Sequence, residues 1–259
     1  MASPSPEKSV RVRAQDGIDV HSALLRNTRK SGVKRLTILS PGFAQWQGSR
    51  SMRFVADRIA FLGDVLSIDY RGTGASSGRF TFGAQESYDL HALVNWAADR
   101  YEAVGILGFS LGSYTALRTL REWPAQAPCP VSALWLVSVP TRLEDIVTSG
   151  GALLNPLVLP FRTIGRRFPV RPENNMLFRW GWPFLPKPDL SEASPALPCP
   201  IHFLCGGQDT LVFPSLSRRV YEATKGTKTW TLIPRGHHAE RIALEFPEQF
   251  FGWLREASA

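Results

Sequence analysis

Eight short apolar runs are spaced along the chain, separated by stretches in which apolar residues recur at helical spacing. These runs are 9–14, 20–26, 36–40, 65–69, 104–109, 133–139, 201–205 and 229–233. The first two flank Gln-Asp-Gly at 15–17, which is typical of a hairpin turn. The later runs are apolar at successive positions, as expected of parallel strands covered on both faces. The pattern predicts an α/β fold with one mostly parallel, eight-stranded sheet flanked by helices.

Five stretches carry the helical pattern, namely 50–62, 86–100, 111–122, 214–223 and 239–255. In the second stretch Leu90, Leu93, Val94 and Ala97 recur at the spacing of one helical face. Pro247 lies inside the fifth stretch and is a candidate break, because proline cannot donate the backbone hydrogen bond of a helix interior.

One segment does not follow the alternation of strands and helices. Residues 141–198, between the sixth and seventh predicted strands, show no strand pattern and are rich in Pro, Leu, Trp and Arg. Insertions of this length in compact domains are usually lids or binding elements. We therefore predict a core of residues 1–140 and 199–259 with a helical cap of residues 141–198. The alternative is a structural excursion that only covers an edge of the sheet.

Composition and charge exclude few functions. The 259 residues are 44% hydrophobic and 20% charged, which is ordinary for a globular protein. The apolar stretches are too short to cross a bilayer, and Cys129, Cys199 and Cys205 form no disulfide framework or metal motif. The formal charge of +8 would favour anionic ligands, although solubility explains it as well. The start of the chain lacks the apolar core of a secretory signal, which predicts a cytoplasmic location.

The strongest chemical signal is Gly-Phe-Ser-Leu-Gly at 108–112, between a predicted strand and a predicted helix. This context is that of a nucleophile elbow, where a sharp turn exposes a strained serine and small neighbours tolerate the turn. The N-terminus of the following helix directs backbone N–H groups to the same place. Ser110 is therefore the candidate nucleophile, the alternative being a tight glycine turn whose serine has no chemical role.

A serine nucleophile needs a base, and the base needs a carboxylate that orients it. His237 and His238 follow the predicted strand 229–233, at a place where loops of open α/β sheets carry functional groups. The other three histidines lie within predicted strands or helices and are better explained by structural roles: His21, His91 and His202. Asp209, just after the strand 201–205, is the candidate carboxylate, or else a turn aspartate that caps the next helix.

The order serine, aspartate, histidine, each after its own strand, resembles that of the α/β-hydrolase superfamily. The chain is most similar to small capped serine hydrolases such as monoacylglycerol lipases, esterases and acyl thioesterases. The resemblance covers nearly the whole chain and implies the α/β-hydrolase fold, a cap after the sixth strand and no cofactor. The family base is the histidine that follows glycine, which corresponds to His237, with the adjacent His238 as the alternative.

The resemblance also implies an oxyanion hole formed by the backbone N–H groups of Phe43 and Leu111. Phe43 lies in Ser-Pro-Gly-Phe-Ala at 40–44, where Pro41 replaces the histidine that the family usually carries. The sequence Asp-Tyr-Arg-Gly-Thr-Gly-Ala-Ser-Ser-Gly at 69–78 resembles a family turn in which Asp69 and Arg71 tie loops together near the site. No helix pattern follows this turn, so it does not indicate a dinucleotide site.

These features together predict a serine hydrolase that cleaves a carboxylic ester or thioester of a lipophilic acyl group. In this scheme Ser110 attacks the carbonyl carbon, His237 transfers the proton, and Asp209 orients the imidazole. The apolar and aromatic residues of 141–198 favour an acyl or aryl pocket, although packing of the cap explains them equally well. The four arginines of 162–171 within this segment would suit an anionic surface or a carrier protein: Arg162, Arg166, Arg167 and Arg171.

Three other functions are open at this point. A peptidase or amidase would use the same catalytic residues. A non-catalytic member of the fold would bind a small ligand or partner under the cap, since a fold does not fix a function. Nucleic-acid binding would use the positive charge, but no motif supports it.

Overall fold

The computed structural model describes residues 8–27, 34–124, 127–142, 185–194 and 196–258, and the backbone of 168–169 and 177–178. The strands are β1 (Lys8–Arg13), β2 (Asp19–Leu25), β3 (Arg35–Ser40), β4 (Asp64–Asp69), β5 (Ala103–Phe109), β6 (Val131–Val137), β7 (Phe168–Pro169), β8 (Leu177–Phe178), β9 (Ile201–Gly206) and β10 (Lys228–Ile233). The helices are α1 (Arg50–Ile59), α2 (Glu86–Ala98), α3 (Leu111–Arg121), α4 (Pro214–Ala223), α5 (Glu240–Glu245) and α6 (Pro247–Glu256), with a 3₁₀ turn at Ala60–Leu62.

Eight strands form one sheet in the order β1-β2-β4-β3-β5-β6-β9-β10. β1 pairs antiparallel with β2, and β2 pairs antiparallel with β4, while the remaining neighbours are parallel. The sheet register places Ser40 beside Gly108 and Phe109 beside Val137. The carboxyl ends of β3, β5 and β6 therefore meet at one edge of the sheet.

Helices cover both faces of the sheet, because each central strand is apolar on both sides. On one face Ile38 and Ile106 pack with Leu90 of α2. On the other face Leu107 packs with Val55 of α1 and Phe250 of α6. The predicted eight-stranded, mostly parallel sheet flanked by helices is thus confirmed. The last predicted helix is divided into α5 and α6 at Pro247, the candidate break.

Most of the predicted cap, including the four arginines of 162–171 and nearly all its apolar residues, lies outside the described residues. The cap therefore stays a prediction. Within it, β7 and β8 pair antiparallel as a ribbon of two residues each, too short to leave the strand pattern sought in the sequence. The described segment 185–194 returns to the core, where the Tyr114 hydroxyl donates to the Pro188 carbonyl at 2.8 Å. Across the described part of the chain, no helix is long and apolar enough to cross a membrane.

Candidate active site

Ser110 lies on a strained turn between β5 and α3. Its φ and ψ are 52° and −114°, a conformation that few non-glycine residues adopt. The turn is tight because a Cβ on Gly108 would lie only 2.7 Å from the backbone nitrogen of Ser113. A Cβ on Gly112 would collide with the carbonyl oxygen of Ser40. The two glycines of the motif are therefore required by close backbone approach, and Ser110 lies in a sharp strand-to-helix turn of the kind that the motif predicts.

A continuous hydrogen-bonded chain joins Ser110, His238 and Asp209. The Nε2 atom of His238 lies 2.9 Å from Ser110 Oγ, and its Nδ1 atom lies 3.0 and 2.8 Å from the two oxygens of Asp209. An ionised carboxylate only accepts hydrogen bonds, so Nδ1 carries the proton and Nε2 accepts from the Ser110 hydroxyl. The carboxylate of Asp209 is fully buried and also accepts from the N–H groups of Leu211 and Val212.

His237, the predicted base, takes no part in the hydrogen bonds that join Ser110 to Asp209. Its Nδ1 atom donates instead to Glu245 on α5, at 2.7 Å. The position that the family resemblance gave to His237 is held by His238. The reason is the path of the loop: a Cβ on Gly206 would collide with the carbonyl oxygens of Gly236 and His237, so this stretch of backbone is pressed against the end of β9. The side chain that reaches Ser110 is therefore that of His238.

The imidazole of His238 is set up to accept a proton from Ser110. Burial lowers the pKa of His238, but the hydrogen bond and the charge of Asp209, followed by the charge of Glu240, raise it above the ordinary histidine value. The charge of Arg241 lowers this pKa and does not reverse the net rise. The arrangement stabilises the imidazolium that forms when Ser110 loses its proton.

The two predicted oxyanion donors lie on backbone segments that flank Ser110. Leu111 is the first residue of α3, so its N–H group has no acceptor within the helix. Phe43 lies in a turn over residues 42–45, which the Gln45 N–H closes on the Gly42 carbonyl at 3.2 Å. A Cβ on Gly42 would lie 3.5 Å from that of Ser110, which shows how close this turn comes to the nucleophile.

Asp69 ties the loop after β3 to the turn after β4, as predicted. Its carboxylate accepts from the backbone N–H of Gln47 at 3.0 Å, from the amide nitrogen of the same residue at 3.1 Å and from the N–H of Ala75 at 3.0 Å. Arg71 acts at a different place, where its guanidinium pairs with Asp16 of the first turn and Asp89 of α2. Both side chains therefore connect separate segments, but they do so at two different places.

An aromatic cluster lies beside the nucleophile. Phe43, Phe80 and Phe82 have ring centroids 5.1–5.9 Å apart. They pack together with Leu111, the residue after the nucleophile, and with Ala44 of the 42–45 turn. Apolar surface thus adjoins the backbone groups predicted to bind an oxyanion.

A second serine, histidine and aspartate lie together elsewhere in the fold, but the imidazole proton is on the other ring nitrogen. His21 Nε2 lies 2.7 Å from Ser9 Oγ, and His21 Nδ1 lies 3.6 Å from Asp69. The amide nitrogen of Gln47 donates to His21 Nδ1 at 2.8 Å, so the proton of this imidazole is on Nε2. His21 therefore donates to Ser9 and cannot take its proton, in contrast to His238.

Sequence analysis missed one contact at the site, the hydrogen bond between Gln45 and Glu240, which are 195 positions apart. No pattern in the sequence signals such a pair. The described residues hold no group of three or more His, Cys, Asp or Glu side chains suited to a metal ion.

Comparison with known proteins bears on the family and the fold. Residues 38–253 match the alpha/beta hydrolase family. RutD of Escherichia coli O81 (strain ED1a), whose name proposes a carbamate hydrolase, is 27% identical over 214 aligned residues, covering 72% of this chain and 77% of RutD. The Pyrococcus furiosus esterase Pf2001 superposes with a TM-score of 0.73 at 24% identity, covering 97% of this chain and 89% of the esterase. XC6422 of Xanthomonas campestris, described as a serine hydrolase without a lid, gives a TM-score of 0.59 at 17% identity, with 97% of each chain covered. These structural likenesses bear on the fold alone and confirm the expected α/β-hydrolase fold.

Proposed function

The chain belongs to the alpha/beta hydrolase family, and from this membership we propose that it is a serine hydrolase that cleaves a carboxylic ester or thioester of a lipophilic acyl group. The observation that carries the proposal is the chain of hydrogen bonds from Ser110 through His238 to Asp209. The hydrogen bonds on both sides of the imidazole have the lengths and the donor–acceptor directions that nucleophilic catalysis by serine requires.

The reaction follows from the positions of the protons. Ser110 Oγ attacks the carbonyl carbon while its proton moves to Nε2 of His238. The N–H groups of Phe43 and Leu111 stabilise the oxyanion of the tetrahedral intermediate. Its collapse breaks the acyl–oxygen or acyl–sulfur bond, and the imidazolium returns the proton to the leaving group. Water, deprotonated by His238, then attacks the acyl-enzyme and releases the acid.

The aromatic cluster of Phe43, Phe80 and Phe82 supports a lipophilic acyl group. Phe80 is buried, while Phe43 and Phe82 are half-buried and present apolar surface close to the oxyanion donors. Binding sites for lipophilic ligands are lined mainly by apolar and aromatic side chains, with a few polar groups that fix orientation. An acyl chain placed against this cluster would keep its carbonyl carbon near Ser110.

Carbamates form a second candidate class of substrate. The observation that favours them is the similarity to RutD, whose name proposes a carbamate hydrolase. Attack on a carbamate carbonyl needs the same serine, base and oxyanion donors, so the geometry of the site suits both classes. A peptidase or amidase would also use these groups, and the leaving group distinguishes the three.

Active-site labelling with a fluorophosphonate tests the proposal directly. Wild type is compared with Ser110→Ala, His238→Ala and His237→Ala, the last being a matched control one residue from the base. We expect Ser110→Ala to abolish labelling, His238→Ala to lower turnover at least about 10³-fold, and His237→Ala to keep most of it. A folded wild-type protein that is not labelled would overturn the serine hydrolase proposal.

Substrate class is tested on the same four proteins. The panel contains p-nitrophenyl esters of increasing chain length, acyl-coenzyme A thioesters, an N-alkyl carbamate and a peptide amide. We expect kcat/KM to rise with acyl chain length among the esters or thioesters, because each buried CH₂ contributes about 0.8 kcal/mol. Preferential cleavage of the carbamate or the amide would instead favour the corresponding alternative.

A further inference from the structure

Glu240 connects the two loops that meet at Ser110. It is the first residue of α5 and lies two residues after His238. Its Oε1 atom accepts a hydrogen bond of 2.7 Å from the amide nitrogen of Gln45, the residue that closes the 42–45 turn. A carboxylate on the loop of the base is thereby bonded to the turn that carries Phe43.

Gln45 is held at three points. Its side chain is buried, and its amide oxygen accepts from the Ser51 hydroxyl at 3.1 Å while its amide nitrogen donates to Glu240. Its backbone N–H closes the turn on the Gly42 carbonyl. Because Ala44 within this turn has a φ of 59°, the turn is strained and needs support from its surroundings. Glu240 and Ser51 supply that support from opposite sides of one amide.

The charge of Glu240 also acts on the base. The charged groups that act on His238 are Asp209 from the loop after β9, and Glu240 and Arg241 from α5. The second oxygen of Glu240 would lie 3.9 Å from a Cβ on Gly42, which would itself lie 3.5 Å from the Cβ of Ser110. Glu240 is thus a second negative charge at the site, separate from the carboxylate bonded to the imidazole.

We propose that Glu240 is a positioning residue with two separable effects, holding the 42–45 turn in place through Gln45 and stabilising the positive charge of His238. The inference rests on the proposed function. It goes beyond the triad and the oxyanion donors because the side chain of Glu240 bonds to Gln45 and not to Ser110, His238 or Asp209. A purely structural tether would have the first contact without any effect on the protonation of His238.

Three variants separate the two effects. Glu240→Gln keeps an oxygen that can accept from Gln45 but removes the charge, Gln45→Met breaks the tether but leaves the charge, and Glu240→Ala removes both. Glu245→Gln is the matched control, since this carboxylate lies on the same helix and contacts His237 and Arg241. For each protein, kcat, KM and the rate constant of fluorophosphonate labelling are measured across the pH range in which histidine titrates.

The expected results differ between the variants. Gln45→Met and Glu240→Ala lower kcat about 10- to 100-fold with little change in KM, because displaced oxyanion donors stabilise the transition state less. Glu240→Gln keeps most of kcat. Both substitutions of Glu240 move the acidic limb of the pH profile to lower pH, since they remove a charge that raises the pKa of His238. Gln45→Met leaves that limb in place, and Glu245→Gln leaves kcat and the limb unchanged.

Melting temperatures show whether each variant is folded. If Glu240→Ala does not fold, the near-isosteric Glu240→Gln and Gln45→Met still test the two effects. A wild-type kcat in Gln45→Met, or an acidic limb that does not move in Glu240→Gln, would overturn this inference. The proposed function would still stand in that case if the wild-type protein is labelled and active. Wild type that is neither labelled nor active would overturn the proposed function and this inference with it.

Discussion

The proton on Nδ1 of His238 decides which nitrogen of that imidazole acts as a base. Asp209 fixes it there, so Nε2 presents a lone pair to Ser110. His237 has the same kind of contact, from Nδ1 to the carboxylate of Glu245, but 40% of its side chain is exposed, against 18% for His238. Both histidines thus bond a carboxylate through Nδ1, but His238 and its partner are more deeply buried, and of the two only His238 lies beside Ser110.

The pH dependence of kcat/KM follows from the pKa of His238. The base is active when neutral, so activity rises with pH as His238 loses its proton, and the acidic limb lies above the ordinary histidine pKa. Asp209→Asn removes the larger of the two negative charges' effects that raise this pKa and leaves the effect of burial, so the limb moves to lower pH. It also lowers kcat about 10³- to 10⁴-fold, because an amide does not hold the imidazole in the required tautomer.

Asp99→Asn is the control for this pH profile, because Asp99 is a solvent-exposed aspartate at the end of α2 and pairs only weakly with Arg100. Its profile should coincide with that of wild type. An acidic limb that stayed at its wild-type pH in Asp209→Asn would show that another group is titrating.

The same pKa shift affects stability: protonated His238 stabilises the folded state at low pH, and this contribution is lost as pH rises through the raised pKa.

At the scale of elements, backbone strain is concentrated in the loops around Ser110. Among the described residues, those other than glycine with positive φ are Ala44, Phe82, Ser110, Ser138 and Ala239. Such conformations cost about 1–3 kcal/mol each and persist only where neighbouring structure holds them. Here the Ser138 N–H donates to the Leu204 carbonyl, and the Ala239 N–H donates to the Ser138 hydroxyl. The end of β6 therefore supports the loop that carries His238.

A pair of glycine-to-alanine substitutions tests how tightly the elbow is packed. In Gly112→Ala the new methyl group would collide with the carbonyl oxygens of Ser40 and Pro41, just before the 42–45 turn. We expect a loss of about 1–3 kcal/mol in the free energy of unfolding and a fall in kcat/KM, as the end of β3 is pushed away. Urea denaturation and ester hydrolysis measure the two effects.

Gly252→Ala is the matched control for this substitution. Gly252 lies inside α6, and a Cβ there would meet no atom within 4 Å. Alanine is favoured over glycine in helix interiors by about 1 kcal/mol, so this variant should be more stable than wild type and equally active. Equal stability of the two variants would contradict the packing argument for the elbow.

At the scale of the whole molecule, sequence predicts what depends on neighbours along the chain and misses what depends on distant contacts. The strands were predictable because Ile38, Leu39 and their counterparts must be apolar on both faces of a covered sheet. Ser110 and Asp209 were predictable because each follows a recognisable strand. The choice of His238 over His237 was not, because it depends on the approach of Gly206 to a loop 30 positions later. The contact between Gln45 and Glu240, 195 positions apart, leaves no local signal at all.

The ion pairs of Arg71 connect three distant parts of the fold and give the last prediction. The guanidinium is buried and bonds to Asp89 on α2 at 2.6 Å and to Asp16 in the β1–β2 turn at 2.6 Å. The carboxylate of Asp89 is fully buried, whereas that of Asp16 is 28% exposed. Loss of Asp89 leaves the buried guanidinium with only a partly exposed carboxylate, which costs more than loss of that exposed carboxylate itself.

We therefore expect Asp89→Asn to lower the free energy of unfolding by about 3–5 kcal/mol, and Asp16→Asn by about 1 kcal/mol. Urea denaturation of the two variants beside wild type measures the difference, and each changes a single carboxylate of the same cation. Because neither aspartate contacts Ser110 or His238, the folded fraction of both variants should keep wild-type kcat/KM. Equal losses of stability would mean that the different burial of the two carboxylates does not decide how much each pair contributes, and that Asp16 holds the N-terminal hairpin to Arg71 as firmly as Asp89 holds α2.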